Sequence, residues 1–192
     1  MNKRKLYDIL TSQDILKSIN ENIEYILNII PELKDIIGFE HKHPHHHLDV
    51  YQHTLLALSL SPQDFEIRLV LLLHDIGKPY SFQDEKIRHF KGHAEISAQI
   101  SYNILKRLSF SEEEIDKICY LIREHDSVIT DDEIIGDKEI AIMKYKIQIC
   151  DALAHNPNKL EKRIKYLLDI NEKLSIEEES LQLILKYKNK NI

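Results

Sequence analysis

The apolar residues of this chain recur every three or four positions over most of its length, a spacing that predicts α-helices. Isoleucines follow this spacing through the segment Leu6–Ile30, with charged residues between them, and Pro31 closes the segment. Asp49 predicts the start of a helix that reaches about Leu60, because Gln52 three positions later completes a capping-box pattern.

A second start signal lies in Ser61-Pro62-Gln63-Asp64, which supplies a cap, a proline at the first helical position and an acid at the third. The helix that it opens runs through Leu69–Leu73, which is apolar on every side. We therefore expect this helix to be the central buried one. Gly77 and Pro79 predict its end.

The remainder of the chain contains one irregular stretch followed by further helices. Residues 80–92 lack the helical period and predict a loop or a short hairpin around Asp84-Glu85. Further helices are predicted over His93–Leu108, from the capping box at Ser111 to His125, up to Ala154 after a polar stretch at 130–137, and in two amphipathic segments beyond Pro157, the last opened by Ser175 and Glu178. The prediction is an all-α fold class.

The composition agrees with a helical globular domain and limits the cell compartment and the partners that we expect for it. Four Gly and five Pro among 192 residues are too few for the turns of a β-sandwich or barrel. No apolar run approaches the length of a membrane span, and no secretory signal is recognised, so we expect a cytoplasmic protein without a membrane partner. A net charge of −6 disfavours binding to duplex nucleic acid.

Histidine is the residue type that needs an explanation, since the chain has eleven of them and no Trp. His74-Asp75 lies at the end of the most apolar helix, where an unpaired polar pair would be costly. Other histidines and one aspartate fall at predicted helix ends or within core-facing helices: His53, His93, His125 and Asp151. Imidazole and carboxylate groups together suit Mn, Fe, Co, Ni or Zn.

The order of these residues resembles that of a known family. His53, His74-Asp75 and Asp151 match the defining pattern of the HD superfamily of metal-dependent phosphohydrolases. The local sequence around them is similar to that of the HD region of bacterial tRNA nucleotidyltransferases (CCA-adding enzymes). The similar segments include Ile30-Pro31-Glu32-Leu33, His46-His47-Leu48-Asp49-Val50, Leu72-Leu73-His74-Asp75-Ile76-Gly77-Lys78-Pro79, His89-Phe90-Lys91-Gly92-His93 and Asp151-Ala152-Leu153-Ala154-His155-Asn156. The resemblance covers roughly residues 30–157 and implies a compact HD helical bundle.

The same resemblance implies roles for individual residues. Four of them would bind one metal ion: His53, His74, Asp75 and Asp151. His93 and His125 match the extra histidines of HD branches that hold two ions, with Asp75 as the bridge. Lys78 matches the lysine after the HD pair, which would approach a substrate phosphate as a point charge, the alternative being a helix-end lysine in solvent.

The chain also departs from the groups that it resembles. No Gly-rich strand and turn with paired aspartates supplies a nucleotidyltransferase head, so the chain is expected to be a stand-alone HD domain that does not add CCA. No Gly-Tyr-Pro motif follows His125, which argues against the usual cyclic-di-GMP hydrolysis. No Glu-Asp pair follows His74-Asp75, which argues against alarmone hydrolysis.

Several further residues keep more than one interpretation. The tract His41–His47 is either a surface segment that picks up adventitious metal or, through His46 or His47, a contact to the scissile phosphate. His89 and His155 are assigned to structure. Arg68 is expected to pair with a core acid such as Asp151 or Asp75. Cys119 and Cys150 form no paired motif and are expected to be buried small hydrophobes.

The sequence therefore predicts a single HD domain over residues 1–192, with a core at about 30–157 on which an N-terminal helix and C-terminal helices pack. We expect metal-activated water to attack a phosphoester of a nucleotide or cyclic nucleotide, a 2′,3′-cyclic phosphodiester among them, with one or two divalent ions. The alternatives are a di-iron oxygenase on the same ligands or a nonenzymatic nucleotide-sensing module. The partner is a small phosphorylated substrate, and the chain is a monomer or homodimer.

Overall fold

The computed structural model describes residues 2–83 and 86–176 together with residues 182 and 184. This part of the chain contains α-helices, two short 3-10 helices and isolated bridges, and no β-strand. The all-α prediction is confirmed. The helices are α1 (Asn2–Leu10), α2 (Ile15–Glu21), α3 (Ile23–Ile29), α4 (Val50–Ser59), α5 (Phe65–Leu73), α6 (Lys78–Ser81), α7 (His93–Arg107), α8 (Glu112–Arg123), α9 (Asp131–Gly136), α10 (Lys138–Leu153) and α11 (Glu161–Leu174).

The N-terminal apolar segment forms three helices rather than the single helix predicted. Asp14 caps α2 by accepting a hydrogen bond from the Lys17 amide, so the chain restarts a helix after α1. Asn22 then ends α2 and begins α3. The isoleucine spacing survives both breaks, because Ile19 and Ile26 are buried in the main core. Periodicity alone therefore located the buried face but not the two breaks.

The capping box at α4 is confirmed. The Asp49 carboxylate accepts a hydrogen bond from the Gln52 amide at 2.7 Å, and the Gln52 side-chain oxygen accepts one from the Asp49 amide at 3.4 Å. This cap sets the start of α4 and places His53 in its first turns. His53 is fully buried there.

The start predicted for α5 is wrong by three residues. Asp64, not Ser61, is the N-cap, and it accepts a hydrogen bond from the Ile67 amide at 2.9 Å. The Ser61 hydroxyl donates to the Leu58 carbonyl at 2.6 Å instead and so finishes the preceding helix. The expectation of a central helix is confirmed, because every residue from Ile67 to Leu73 is buried.

The chain turns sharply after α5 rather than stopping at Pro79. His74 ends α5, and Pro79 lies in the first turn of α6, a position that suits proline. Gly77 permits the close approach of α7, since a Cβ there would lie 2.5 Å from the Ser97 amide nitrogen and 2.6 Å from the His93 carbonyl oxygen. The close approach holds the start of α7 against the end of α5.

The later predictions are confirmed with two changes. Helices α7, α8 and α10 occupy the predicted segments, and Ser111 forms the predicted capping box. The polar stretch at 130–137 contains α9, a helix that its own box at Thr130 starts. Ser175 ends α11 with φ +51°, and the helix predicted to open at Ser175 and Glu178 falls on residues outside the described ranges.

The loop predicted over residues 80–92 begins only after α6, which includes Tyr80 and Ser81, and its described part contains an antiparallel bridge between Gln83 and His89. The predicted turn at Asp84-Glu85 lies outside the described residues.

Two groups of buried apolar side chains hold the helices together. The larger surrounds α5 and includes side chains from α1 to α4, α7 and α8. The smaller lies between α10 and α11, and Leu60 packs against both groups. Cys119 and Cys150 are free and buried, as predicted. In the described ranges, no helix has both the length and the apolar character that crossing a membrane requires.

Candidate metal centre

Five helices bring the six predicted ligand residues to one place in the fold. His53 lies in α4, His74 and Asp75 follow α5, His93 begins α7, and His125 follows α8. The sixth residue, Asp151, lies in the last turn of α10. All six side chains are buried except His93, whose side chain is 14% exposed. The positions predicted from sequence alone therefore form one cluster.

One half of the cluster joins two imidazoles to two carboxylates. His53 Nε2 lies 2.9 Å from Asp151 Oδ1 and 3.7 Å from Asp75 Oδ2. His74 Nε2 lies 3.3 Å from Asp75 Oδ2 and 3.5 Å from Asp151 Oδ1. These nitrogen–oxygen separations all lie between 2.9 and 3.7 Å, so the four residues direct their possible ligand atoms toward one another.

The other half of the cluster lies on the opposite oxygen of Asp75. His93 Nε2 is 3.3 Å from Asp75 Oδ1, and His125 Nε2 is 4.0 Å from the same oxygen. The two imidazole nitrogens are 3.4 Å apart. Asp75 therefore faces two pairs of histidines, one with each carboxylate oxygen, which is the arrangement of a bridging ligand.

Backbone carbonyls fix the orientation of the four histidine rings. In each ring Nδ1 lies within 3.2 Å of a carbonyl oxygen and donates to it: His53 to Ala154, His74 to Leu71, His93 to Phe90 and His125 to Ile122. Nε2 is the ring atom that faces the carboxylates, and once it has lost its own proton its lone pair is available to bind a cation. Such outer hydrogen bonds are typical of metal-binding histidines.

Two orphaned atoms indicate that the residues fit a metal ion. His74 Nε2 and Asp75 Oδ1 are buried and have no hydrogen-bond partner among the residues that the structure describes. Buried polar atoms are normally satisfied, and a cation between them would satisfy both. The cluster includes sets whose ligand atoms lie within 4.8 Å of one another, among them His53, His74 and Asp75, and Asp75, His93 and His125. Four imidazoles and two carboxylates suit a divalent transition metal.

The ionisation of the two carboxylates in the cluster is consistent with a cation site. Burial opposes ionisation of Asp75, but the neighbouring His74 and Lys78 charges hold its pKa well below the usual value. Burial also opposes ionisation of Asp151, yet His155 and the hydrogen bond to His53 keep its pKa well below the usual value. Both carboxylates are therefore ionised at neutral pH and available to a cation.

Lys78 is held by two protein groups. Its ammonium group donates to Asp75 Oδ2 at 2.6 Å and to His41 Nε2 at 3.0 Å, and the residue is buried. His41 can accept because its Nδ1 donates to the Leu48 carbonyl at 2.9 Å. The solvent-exposed alternative for Lys78 is wrong. His41 is a contact that sequence reasoning missed, since only the tertiary fold brings it to Lys78.

The histidine tract is divided between the interior and the surface. His46 is half-buried and stacks on His41 at 3.6 Å between ring centroids, whereas His47 is exposed. All histidines are among the described residues, and ten of the eleven form one network of ring contacts, from which His47 is absent. His155 belongs to this network, with its ring 4.4 Å from that of His46.

Arg68 differs from expectation, and a second arginine, Arg163, was not singled out by the sequence. Arg68 pairs with neither Asp75 nor Asp151, and it donates instead to the Ser61 hydroxyl and to the carbonyls of Leu10 and Ser12. It is thus a link between α5 and the N-terminal helices. Arg163 is the arginine near the cluster, with one terminal nitrogen 3.9 Å from Asp151 Oδ2. No spacing in the sequence connects it to the cluster.

The cluster forms the floor of an open cleft of about 1240 Å³. Its walls include residues from the tract, from the start of α7 and from α11. Four residues of the cluster line it, together with Lys78 and His46, while His47 does not: Asp75, His93, His125 and Asp151. A cleft of this size admits a ligand at least as large as a nucleotide.

Comparison with known proteins agrees with this geometry. A model of the HD domain family matches residues 45–174. The chain is 38% identical over 104 residues to the CC-adding tRNA nucleotidyltransferase of Thermus thermophilus, which covers 50% of this chain and 24% of the relative. It is 31% identical over 131 residues to the A-adding tRNA nucleotidyltransferase of Deinococcus radiodurans, with 63% and 30% covered. It thus spans about a quarter to a third of these relatives.

Proposed function

Because the chain belongs to the HD domain family, a superfamily of metal-dependent phosphohydrolases, we propose that it hydrolyses a phosphoester of a nucleotide or cyclic nucleotide. The observation that carries the proposal is the position of Asp75, whose two oxygens face two separate pairs of histidines. That arrangement offers two adjacent cation positions at the floor of a cleft. Paired cations with a shared carboxylate are common where phosphoesters are cleaved.

The proposed ligand sets follow the two halves of the cluster. His53, His74, Asp75 and Asp151 hold one divalent ion, and Asp75, His93 and His125 hold the other. The ions that the donor atoms favour are Mn, Fe, Co, Ni and Zn. When bound, such ions supply a water molecule of lowered pKa and positive charge that offsets the charge of the phosphate.

The remaining polar residues position the ligands and the substrate. Lys78 holds Asp75 Oδ2 and adds a positive charge beside the floor of the cleft. His46 lines the cleft and carries a buried Nδ1 without a hydrogen-bond partner, so it is the histidine of the tract that we propose contacts the substrate. The Asp75 and Asp151 carboxylates, which stay ionised, retain the cations at neutral pH.

Two features support a nucleotide as substrate. The relatives that share this region are named as enzymes that add nucleotides to tRNA. The cleft volume of about 1240 Å³ also exceeds what a simple phosphomonoester requires. A 2′,3′-cyclic nucleotide is small enough for this cleft, and its phosphodiester is a bond that the proposed reaction would cleave.

The test is hydrolysis by metal-stripped protein that is re-supplied with each of the five metals. Bis(p-nitrophenyl) phosphate and 2′,3′-cyclic AMP are the substrates, and Asp75→Asn is compared with Asp169→Asn, an exposed acid on α11. We expect metal-dependent turnover that Asp75→Asn abolishes and Asp169→Asn retains. No turnover with any metal would contradict the proposal. Oxygen uptake by the iron-loaded protein would then indicate the oxygenase alternative.

A further inference from the structure

Arg163 brings a positive charge to the edge of the metal cluster from a helix that supplies none of the six ligands. It lies in the first turn of α11, and one terminal nitrogen is 3.9 Å from Asp151 Oδ2. Its side chain is 32% exposed and lines the cleft. The guanidinium therefore reaches both the cluster and the space that a substrate would occupy.

The guanidinium of Arg163 is poorly satisfied by protein atoms. Its Nε is buried and has no hydrogen-bond partner within the described ranges. The 3.9 Å separation from Asp151 is well beyond a direct charge-assisted hydrogen bond, which is about 2.7–2.9 Å long. Asp151 Oδ1 is already engaged with His53 at 2.9 Å. A buried donor without a partner is unfavourable, and a bound anion would relieve it.

Lys78 differs from Arg163 in both its hydrogen-bond partners and its exposure. Its ammonium group is within 3.0 Å of both Asp75 Oδ2 and His41 Nε2, and the residue is only 5% exposed. Moving Lys78 onto a phosphate would break both contacts. Arg163 loses no hydrogen bond to the described part of the chain when it binds an anion.

The wall around Arg163 is cationic. Lys159 and Lys162 are exposed beside it and line the same cleft, with Glu161 as the acid between them. On the facing wall the charge of Arg123 is offset by Glu95, at 2.5 Å. Because the whole chain is acidic, positive charge at the α11 wall is a local feature rather than a reflection of composition.

We infer that Arg163 binds directly to the phosphate group held at the metal cluster, and that Lys78 positions Asp75 without touching the phosphate. The planar guanidinium can donate two parallel hydrogen bonds to phosphate oxygens, a geometry that an ammonium group lacks. The inference rests on the proposed function for the identity of the anion. It adds a substrate contact from outside the ligand set.

The test measures binding of inorganic phosphate to the manganese-loaded full chain by calorimetry, with metal content determined for each variant. We expect Arg163→Ala to weaken phosphate binding about ten- to a hundredfold with metal content unchanged. Arg163→Lys should recover part of the loss, since it restores the positive charge but not the pair of parallel hydrogen bonds that a guanidinium can donate. Lys165→Ala, an exposed cation of the same helix outside the cleft, should match the native chain.

Four results would overturn the inference. One is native phosphate affinity in Arg163→Ala, and the second is no phosphate binding by the native chain. The third is loss of metal from Arg163→Ala, which would make it a support for Asp151 instead. A larger loss of phosphate affinity in Lys78→Met than in Arg163→Ala would also reverse the assignment.

Steady-state kinetics separate this inference from the proposed function. With a cyclic nucleotide as substrate, Arg163→Ala should raise KM and lower kcat/KM while the native chain stays active. If the native chain hydrolyses the substrate and Arg163→Ala has native constants, the inference fails and the function stands. If phosphate binding depends on Arg163 but no substrate is hydrolysed, the function fails and the anion site stands.

Discussion

His41 accepts a hydrogen bond from the Lys78 ammonium group at 3.0 Å, although 37 residues separate them. The contact is made in the interior, since both residues are buried. It leaves Lys78 with a second contact to Asp75 Oδ2 at 2.6 Å. His41 thus helps to position Lys78, which in turn contacts Asp75. The segment between α3 and α4 is therefore part of the site.

We expect His41→Ala to destabilise the chain by about 1–3 kcal/mol, because a buried ammonium loses one of its partners. Urea unfolding of the metal-free protein measures the effect without a contribution from bound ions. His47→Ala is the matched control, because His47 is exposed and outside the histidine network. Equal stability of His41→Ala and His47→Ala would show that the contact to Lys78 adds nothing.

Gly77→Ala should damage both the fold and the metal centre. The added Cβ would meet backbone atoms of His93 and Ser97 within 2.6 Å, so α7 must shift away from α5. We expect a loss of stability of about 1–3 kcal/mol and a lower metal content, because His93 moves with α7. Both are read from unfolding curves and elemental analysis.

Gly136→Ala is the control for that substitution, because nothing lies within 4 Å of its added Cβ and Gly136 is in α9. Its stability should equal or exceed that of the native chain. If the two alanine variants unfold alike, the close approach at Gly77 has no energetic consequence.

Acid should remove one defined contribution to stability, at Glu133. Its carboxylate accepts hydrogen bonds from the Lys144 ammonium group at 2.7 Å and from the Tyr120 hydroxyl at 3.0 Å. Burial opposes ionisation, but the contacts to Lys144 and the Thr130 amide lower the pKa of Glu133 from 4.5 to about 2. The charged form is therefore favoured in the folded chain.

A carboxyl group with a lowered folded pKa stabilises the fold above its unfolded pKa and loses that contribution as the pH falls through the folded value. Native chain should thus be more stable than Glu133→Gln at pH 6, and the difference should shrink between pH 4.5 and about 2. Urea unfolding across this range measures it, with Asp169→Asn as control. A difference that stays constant down to pH 2 would contradict the assignment.

The sequence predicted the six cluster residues because each lies near a helix end or on a core-facing helix, where the helical period makes a polar residue conspicuous. Asp75 and His74 are the clearest case, since they follow a run of buried leucines. The resemblance to the HD superfamily then ordered the six into ligand sets.

The parts that could not be predicted depend on packing between distant segments. Arg68 donates to backbone carbonyls near α1, and Arg163 lies close to Asp151. Neither contact could be predicted, because which helices pack against α5 and α10 is decided only when the chain folds. The start of α5 was misplaced because Ser61 and Asp64 are both good caps. Hydrogen bonding of Ser61 to the end of α4 decided between them.

If Asp75 bridges two divalent ions, the number of ions bound per chain will show it. Elemental analysis after saturation with manganese and removal of excess compares the native chain with His93→Ala, which removes a ligand from one half only. We predict two ions in the native chain and one in His93→Ala. One ion in both proteins would contradict it, because the His93 and His125 half of the cluster would then hold no ion.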